Sequence, residues 1–446
     1  MGEAPSADLD RAPLKRYHWV LTTLGAMGVM MDGYDLSVIG FSVLLLSSDF
    51  HLSPTSGLYG LVLASGLIGM AMGGVTFGWL ADRVGRKTMF VADMVLFVVF
   101  AVLSGLAQNV WQVIIFRVLM GVGIGGDYPV SSSLISEFAP AKKRGFLLMY
   151  GIMFYWLGTL LAGVVNYLSL PLGTDLAWRV PLMFGGLLAL PVVLVRNYAS
   201  ESPRWLLQKK RFEEARAVAS GRLELGLGER MVGGQPVHPA RELFSRYFRS
   251  TFYVLASWFA FDVGAYGFGF YVPTLYRQLG ISSLQLIAGF SIISSPFPIM
   301  AYLFLMYTVD RYGRRLFTML GFAAMIAVLL VLPPLAEGNP YLLLPLWIVY
   351  SSLEQWPGGI LSFGYSVELF PTSLRAFAQG LATTVSRVGG IVGILALPYI
   401  ARTYGLWYGT LFFVAFLAFA LVATALIAPE TRGATLEDLG EGKAPP

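Results

Sequence analysis

Long apolar runs alternate with short polar breaks along almost the whole chain. Runs of about twenty residues or more cover 18–46, 57–80, 88–107, 110–136, 146–168, 177–196, 251–275, 283–308, 316–334, 341–366, 374–400 and 405–428. A helix needs roughly 20 apolar residues to cross a bilayer. Unbroken runs, rather than ten-residue alternations, predict helices and not a β-barrel. One segment breaks the pattern. Residues 197–250 are charged and include "PRWLLQKKRFEEARAVASGRLELGLGER", which reads as a soluble loop with amphipathic helical pieces. The expected fold is an all-α membrane protein of twelve transmembrane helices. Residues 1–196 form an N-terminal six-helix bundle, 197–250 a cytoplasmic central loop, and 251–446 a second six-helix bundle with a short tail.

Composition agrees with this pattern. The chain is 56% hydrophobic and 13% charged, whereas soluble domains are nearer 25% charged. Mean hydropathy is +0.67, so apolar surface faces lipid almost everywhere. The basic residues mark topology. With the N-terminus inside, the inner loops hold Arg83, Arg86 and Lys87; Lys142, Lys143 and Arg144; most of the central loop; and Arg311, Arg314 and Arg315. The outer connections hold little beyond Arg277 and Arg402, so the positive-inside rule selects this orientation. Both termini are then cytoplasmic, in a plasma or inner membrane. The net charge of +5 is accounted for by topology and implies no nucleic-acid partner. The first 16 residues are polar and show no cleavable signal peptide. There is no cysteine, and His18, His51 and His238 all lie at span ends or in loops. No metal site or cofactor is expected. No P-loop or nucleophile elbow is present, so neither an ATP-driven pump nor an enzyme is expected.

A repeat divides the chain. "GWLADRVGRK" (78–87) follows the second span and "YTVDRYGRR" (307–315) the eighth; "SEFAPAKKRG" (136–145) follows the fourth and "VELFPTSLRAFAQG" (367–380) the tenth. Two parallel six-span repeats predict a transporter with its solute path between the halves. In "GVGIGGDYPV" (121–130), Gly121, Gly123 and Gly126 match the dinucleotide-binding spacing. The flanking sequence is one continuous apolar span, so no nucleotide loop is predicted. Gly121 and Gly125 instead form a small-xxx-small pair for close helix contact, and Pro129 should kink the helix just after Asp127.

Charges inside spans are costly and mark function. Asp32 and Asp35 stand three apart on one helix face. Arg117 and Asp127 share the fourth span, about three turns apart. Trp258, Asp262 and Tyr266, at spacings of four, form one stripe predicted to line a polar cavity. Glu354 lies beside Gln355 and Trp356 in the tenth span, and Arg387 in the eleventh. No histidine is mid-span, so carried protons must ride on carboxylates: Asp32, Asp35 and Asp127 are the candidates.

At these motifs the chain resembles the major facilitator superfamily over nearly its whole length. "GWLADRVGRK" is similar to that superfamily's loop 2–3 signature. "SESPRWLL" (200–207) and "PETRG" (429–433) resemble signatures of its sugar-porter-like branch. Within that branch "DGYDL", "GIGGDYPVSSSLISEF" and the Trp258–Asp262–Tyr266 stripe look most like the phosphate:proton symporters. That resemblance implies Asp35 and Asp127 in proton coupling, and Tyr128, Trp258, Asp262 and Tyr266 around the phosphate. Arg387 falls where the family usually has a lysine. Two positions depart from the family: Tyr155, beside Trp156, replaces a glutamine, and Gly359 replaces an asparagine. The glutamine-rich seventh-span signature of true sugar porters is absent.

The expected protein is a monomeric proton-coupled symporter of a small anionic solute, with phosphate first and an organic acid or sugar as the rival. A non-transporting nutrient receptor would share the same pocket. Tyr128, Tyr155, Trp258, Asp262, Tyr266, Trp356 and Arg387 are the expected substrate residues, with Asp262 sensing substrate protonation. Asp82, Arg86, Glu137 and Arg144 in the first half, and Asp310, Arg314, Glu368 and Arg375 in the second, are the expected gate.

Overall fold

The computed structural model describes residues 9, 13–54, 56–225, 239–371 and 373–434; His238 and the tail 435–446 lie outside them. The first half has six long helices: α1 (Arg16–Asp49), α2 (Gly57–Val84), α3 (Arg86–Gly105), α4 (Val110–Phe138), α5 (Arg144–Ser169) and α6 (Thr174–Arg196). The second has α7 (Phe248–Gly269), α8 (Leu284–Tyr312), α9 (Arg314–Gly338), α10 (a broken span over 343–368), α11 (Arg375–Tyr404) and α12 (Leu406–Ile427). Ten of these are each long and apolar enough to cross a membrane. The other two are α7 and α10, which carry the buried acids Asp262 and Glu354.

Local sequence sets the ends. Ser56 caps α2 by accepting from the Tyr59 N–H at 3.2 Å, and Asn109 caps α4 by accepting from the Gln112 N–H at 3.0 Å. The repeated D-R-x-G-R turn has a physical basis in both halves. Gly85 (φ +123°) and Gly313 (φ +98°) take a backbone conformation that side chains disfavour. The space where each Cβ would project holds a carboxylate, Glu201 or Glu430. Glu201 accepts from the N–H groups of Arg86 (3.0 Å) and Lys87 (3.2 Å), and Glu430 from those of Arg314 (3.0 Å) and Arg315 (3.3 Å). The acids of "SESPR" and "PETRG" therefore satisfy and electrostatically complement the first turns of α3 and α9.

Lipid offers no hydrophobic drive for helix association, so close packing has to supply it. Gly121 and Gly125 meet this need: a Cβ at either would run into the α2 backbone at Gly66 or Met70. Pro129 lies within α4, which continues through it to Phe138. Large apolar side chains such as Leu168, Leu194 and Leu426 remain exposed on the outer faces, as a lipid-facing surface requires.

The halves meet along two seams, α2 against α11 and α5 against α8. Between α6 and α7, short helices Pro203–Gln208, Phe212–Val218 and Pro239–Ser245 are described. The first docks on the first half: Trp205 is buried and its ring N–H donates to the Asp82 carbonyl at 3.2 Å.

Candidate transport site

A cavity of about 150 Å³ lies between the halves. From the first half it is lined by Tyr128 on α4 and by Tyr155, Trp156 and Asn166 on α5. From the second come Trp258, Asp262 and Tyr266 on α7, Tyr302 on α8, Glu354 on α10 and Arg387 on α11. The i, i+4, i+8 spacing of the α7 stripe turns all three of its side chains to one side.

Arg387 is the cavity's electrostatic centre. It is buried, and its Nη1 donates to Asp262 Oδ2 at 2.7 Å. The guanidinium lies over the rings of Tyr128 (4.8 Å), Tyr266 (4.9 Å) and Trp258 (5.9 Å). Three aromatic faces and a carboxylate hold a cation that would be costly alone at this depth. Its Nε and Nη2 have no hydrogen-bond partner among the described residues. Those two nitrogens are the part of the guanidinium left with unspent donors.

The three candidate proton acids sit beside the cavity and do not line it. Asp35 receives both guanidinium nitrogens of Arg117, each at 2.9 Å. Its neighbours in sequence, Leu36 and Ser37, do line the cavity. Asp32 Oδ2 accepts from the Tyr128 hydroxyl at 2.7 Å, which ties it to the cavity wall. Asp127 is deeper in the first half: Oδ1 accepts from Ser131 at 2.8 Å and pairs with Arg196 at 2.7 Å. Arg196 also donates to Asp93 Oδ1 and to the Phe90 carbonyl, both at 2.8 Å. Two aspartates therefore share one arginine. Of the candidate substrate residues, Trp356 lies apart from the cavity, its ring packed on Phe304 and Phe317 at 5.9 and 5.4 Å.

All eight candidate gate residues converge at the ends of the helices where the basic loops lie. Arg86 pairs with Asp82 (2.8 Å) and Glu137 (3.2 Å), and Arg375 of the second half pairs with Glu137 (3.3 Å). Asp82 Oδ2 also accepts from the Phe377 N–H at 2.9 Å. The second half repeats this: Arg314 pairs with Asp310 and Glu368, each at 2.9 Å, and Asp310 accepts from the Phe146 N–H at 3.0 Å. Arg144 lies within electrostatic reach of Glu368. Burial raises the carboxyl of Glu201, which caps α3 beside this network, above its ordinary range; the N–H of Ser202 and the charge of Arg86 partly offset this. The halves are thus stitched together on the basic-loop face. On the opposite face the Tyr59 hydroxyl meets Thr274 across the seam at 3.0 Å.

The comparisons agree with this architecture. A niacin transporter (NiaP) of Acinetobacter baylyi is 28% identical over 97% of this chain and 98% of its own length. A putative inorganic phosphate transporter of rice, Oryza sativa subsp. japonica, is 26% identical over 97% and 92%. The solved structure of the proton:xylose symporter XylE, bound to 6-bromo-6-deoxy-D-glucose, superposes with a TM-score of 0.81, covering 95% of this chain and 98% of that one at 23% identity. That likeness establishes the major facilitator fold, with twelve membrane helices in two six-helix bundles. A sequence model of the family described as "Sugar (and other) transporter" matches residues 21–442, and the chain belongs to that family of multi-pass membrane transporters.

Proposed function

We propose that the chain is a proton-coupled symporter that carries a small organic anion by alternating access. It acts as a monomer in the cell membrane, with both termini cytoplasmic, and its halves, 1–196 and 251–446, rock about the central site. The observation that carries this reading is the cavity centred on Arg387, with two donor atoms unspent, between halves joined on the basic-loop face by the Glu137–Arg375 ion pair and the Asp82 and Asp310 hydrogen bonds. Drug-sized ligand sites occupy roughly 300–1,000 Å³, so a cavity of about 150 Å³ suits a small solute.

Protons act through the acid–arginine pairs. Protonating Asp35 or Asp127 removes a buried negative charge and loosens its hold on Arg117 or Arg196, which lets the helices bearing them shift. Asp262 competes with the solute for Arg387, so protonating Asp262 frees the guanidinium for the anion. Loss of the proton on the cytoplasmic side restores that competition and expels the solute. The gate residues Asp82, Arg86, Glu137, Arg144, Asp310, Arg314, Glu368 and Arg375 hold the cytoplasmic face shut until then.

Charge favours an organic monoanion over phosphate. Among the described residues lining the cavity, Arg387 is the one cation, against two carboxylates, Asp262 and Glu354. Tyr155 stands where the phosphate symporters have a glutamine. At Gly359, in place of their asparagine, the adjoining space is taken by the Tyr302 ring. The relative named for niacin, an organic acid, supports this reading. The rice relative and the phosphate-symporter residues Tyr128, Trp258, Asp262 and Tyr266 support phosphate as the second reading. Uptake into proteoliposomes under an imposed pH gradient tests the proposal: labelled organic acids should accumulate when the lumen is alkaline. Binding without uptake under any gradient would make the chain a receptor instead.

A further inference from the structure

Two charged groups besides Asp262 line the cavity: Arg387 and Glu354. Glu354 stands where α10 breaks: helix Leu343–Leu353 ends there, and a short helix Gln355–Gly359 and a π-helical turn Ile360–Tyr365 follow. Its side chain lines the cavity and is 8% exposed. Oε1 accepts from the Gln355 amide at 3.1 Å, while Oε2 is buried with no partner. No ion pair to Glu354 occurs among the described residues, whereas Asp35, Asp127 and Asp262 each face an arginine at 2.9, 2.7 and 2.7 Å. A buried carboxylate oxygen left bare is costly unless a donor meets it. Arg387, Tyr155 and Glu354 all line this one cavity. The walls between them are aromatic: Trp156, Trp258, Tyr266 and Tyr302, besides Tyr155. Such walls favour a flat ring by stacking.

We infer that Glu354 is a specificity-determining residue that accepts a hydrogen bond from the solute, and that the solute class is a flat aromatic monocarboxylate bearing a ring donor. Its carboxylate meets Nε and Nη2 of Arg387, its ring lies between the aromatic walls, and its hydroxyl or ring N–H meets Glu354 Oε2. Inorganic phosphate has no ring to lie against the aromatic walls and is repelled by Glu354. A sugar supplies hydroxyls for Glu354 but no anion for Arg387. This inference rests on the anion-transport reading above.

The test measures equilibrium binding to the purified full-length protein in detergent, read by quenching of tryptophan fluorescence. The probes are 4-hydroxybenzoate, benzoate, inorganic phosphate and xylose. The expected result is binding of 4-hydroxybenzoate about tenfold or more tighter than benzoate, the size of one hydrogen bond to a charged acceptor. Phosphate and xylose should bind more weakly than either. Glu354→Leu, which removes the acceptor, should collapse the ratio between the two aromatic acids toward one. Equal binding of the two acids by the wild type overturns the inference, as does tightest binding of phosphate or xylose. Survival of the ratio in Glu354→Leu assigns the donor contact elsewhere and overturns it too. The wild-type ratio needs no variant to fold. Proteoliposome uptake of 4-hydroxybenzoate is scored separately: binding with the expected ratio but no gradient-driven uptake leaves the solute class standing and removes the symport mechanism.

Discussion

Asp35 and Asp127 differ in what each leaves behind when neutralised. Arg196 has two acids, so Asp127→Asn still leaves it Asp93 at 2.8 Å. Arg117 pairs with Asp35, held by both nitrogens. Stripping the partner from a buried arginine costs about 3–5 kcal/mol. Asp35→Asn should therefore lower the thermal midpoint strongly, and Asp35→Asn with Arg117→Gln should recover most of that loss. Asp127→Asn should cost about 1 kcal/mol or less, within the range of a weakened hydrogen bond, yet abolish uphill, pH-driven uptake. Melting curves in detergent, read beside gradient-driven uptake, check both. Accumulation against a gradient by Asp127→Asn would show that Asp127 carries no coupled proton. The pairings themselves were not legible in the sequence. Asp127 and Arg117 share a helix, but each finds its partner on another, which no spacing rule reports. Asp93 is visible in the sequence as an acid within the run 88–107, but nothing there points to its partner; Arg196 closes its span like an ordinary boundary charge.

Elements were far easier to read than partners, because spans announce themselves by hydropathy alone. The run 110–136 matches α4 (Val110–Phe138), and 316–334 falls inside α9 (Arg314–Gly338). The structure extends helices past the apolar run at the basic-loop ends, where polar turns with their own caps continue the backbone bonding. The tenth span reads as one apolar run, yet α10 is broken into pieces around Pro357 and a π-helical turn. Trp356 followed from its neighbours in sequence as a cavity residue, and the break turns it instead toward Phe304 and Phe317. The D-R-x-G-R turn was legible as a repeat, but its service by Glu201 and Glu430, 116 positions on from Gly85 and 117 on from Gly313 by subtraction of their numbers, was not. Both turns should respond alike to substitution. Gly85→Ala and Gly313→Ala each force a side chain into positive φ and displace a capping carboxylate, so each should cost about 1–2 kcal/mol from φ alone. Removing the carboxylate instead, by Glu201→Gln or Glu430→Gln, should cost less, since a neutral amide oxygen still accepts. A thermal-melt series over the four variants checks the order, and a silent Gly313→Ala would break the symmetry argument.

The two halves act as one machine only if the latch on the basic-loop face and the cavity are linked. Asp82 joins Phe377 and Asp310 joins Phe146 across the seam by backbone N–H donors at 2.9 and 3.0 Å. Neither contact touches the cavity, so both can be weakened without altering a solute contact. Asp82→Asn with Asp310→Asn removes two charge-assisted acceptors and their ion pairs with Arg86 and Arg314. Stability of the latched state relative to the open one then falls by roughly 1.5–3 kcal/mol per contact at most, enough to invert a population that began near equality. The chain has no cysteine, so a single introduced thiol reports access cleanly. Ala265 lines the cavity and is half-buried on α7. With the latch intact, Ala265→Cys should react with a membrane-impermeant maleimide only from the face opposite the basic loops. With Asp82→Asn and Asp310→Asn added, labelling from that face should slow several-fold and labelling from the basic-loop face should appear. Unchanged labelling from both faces would mean that this network braces the loops without governing which way the cavity opens.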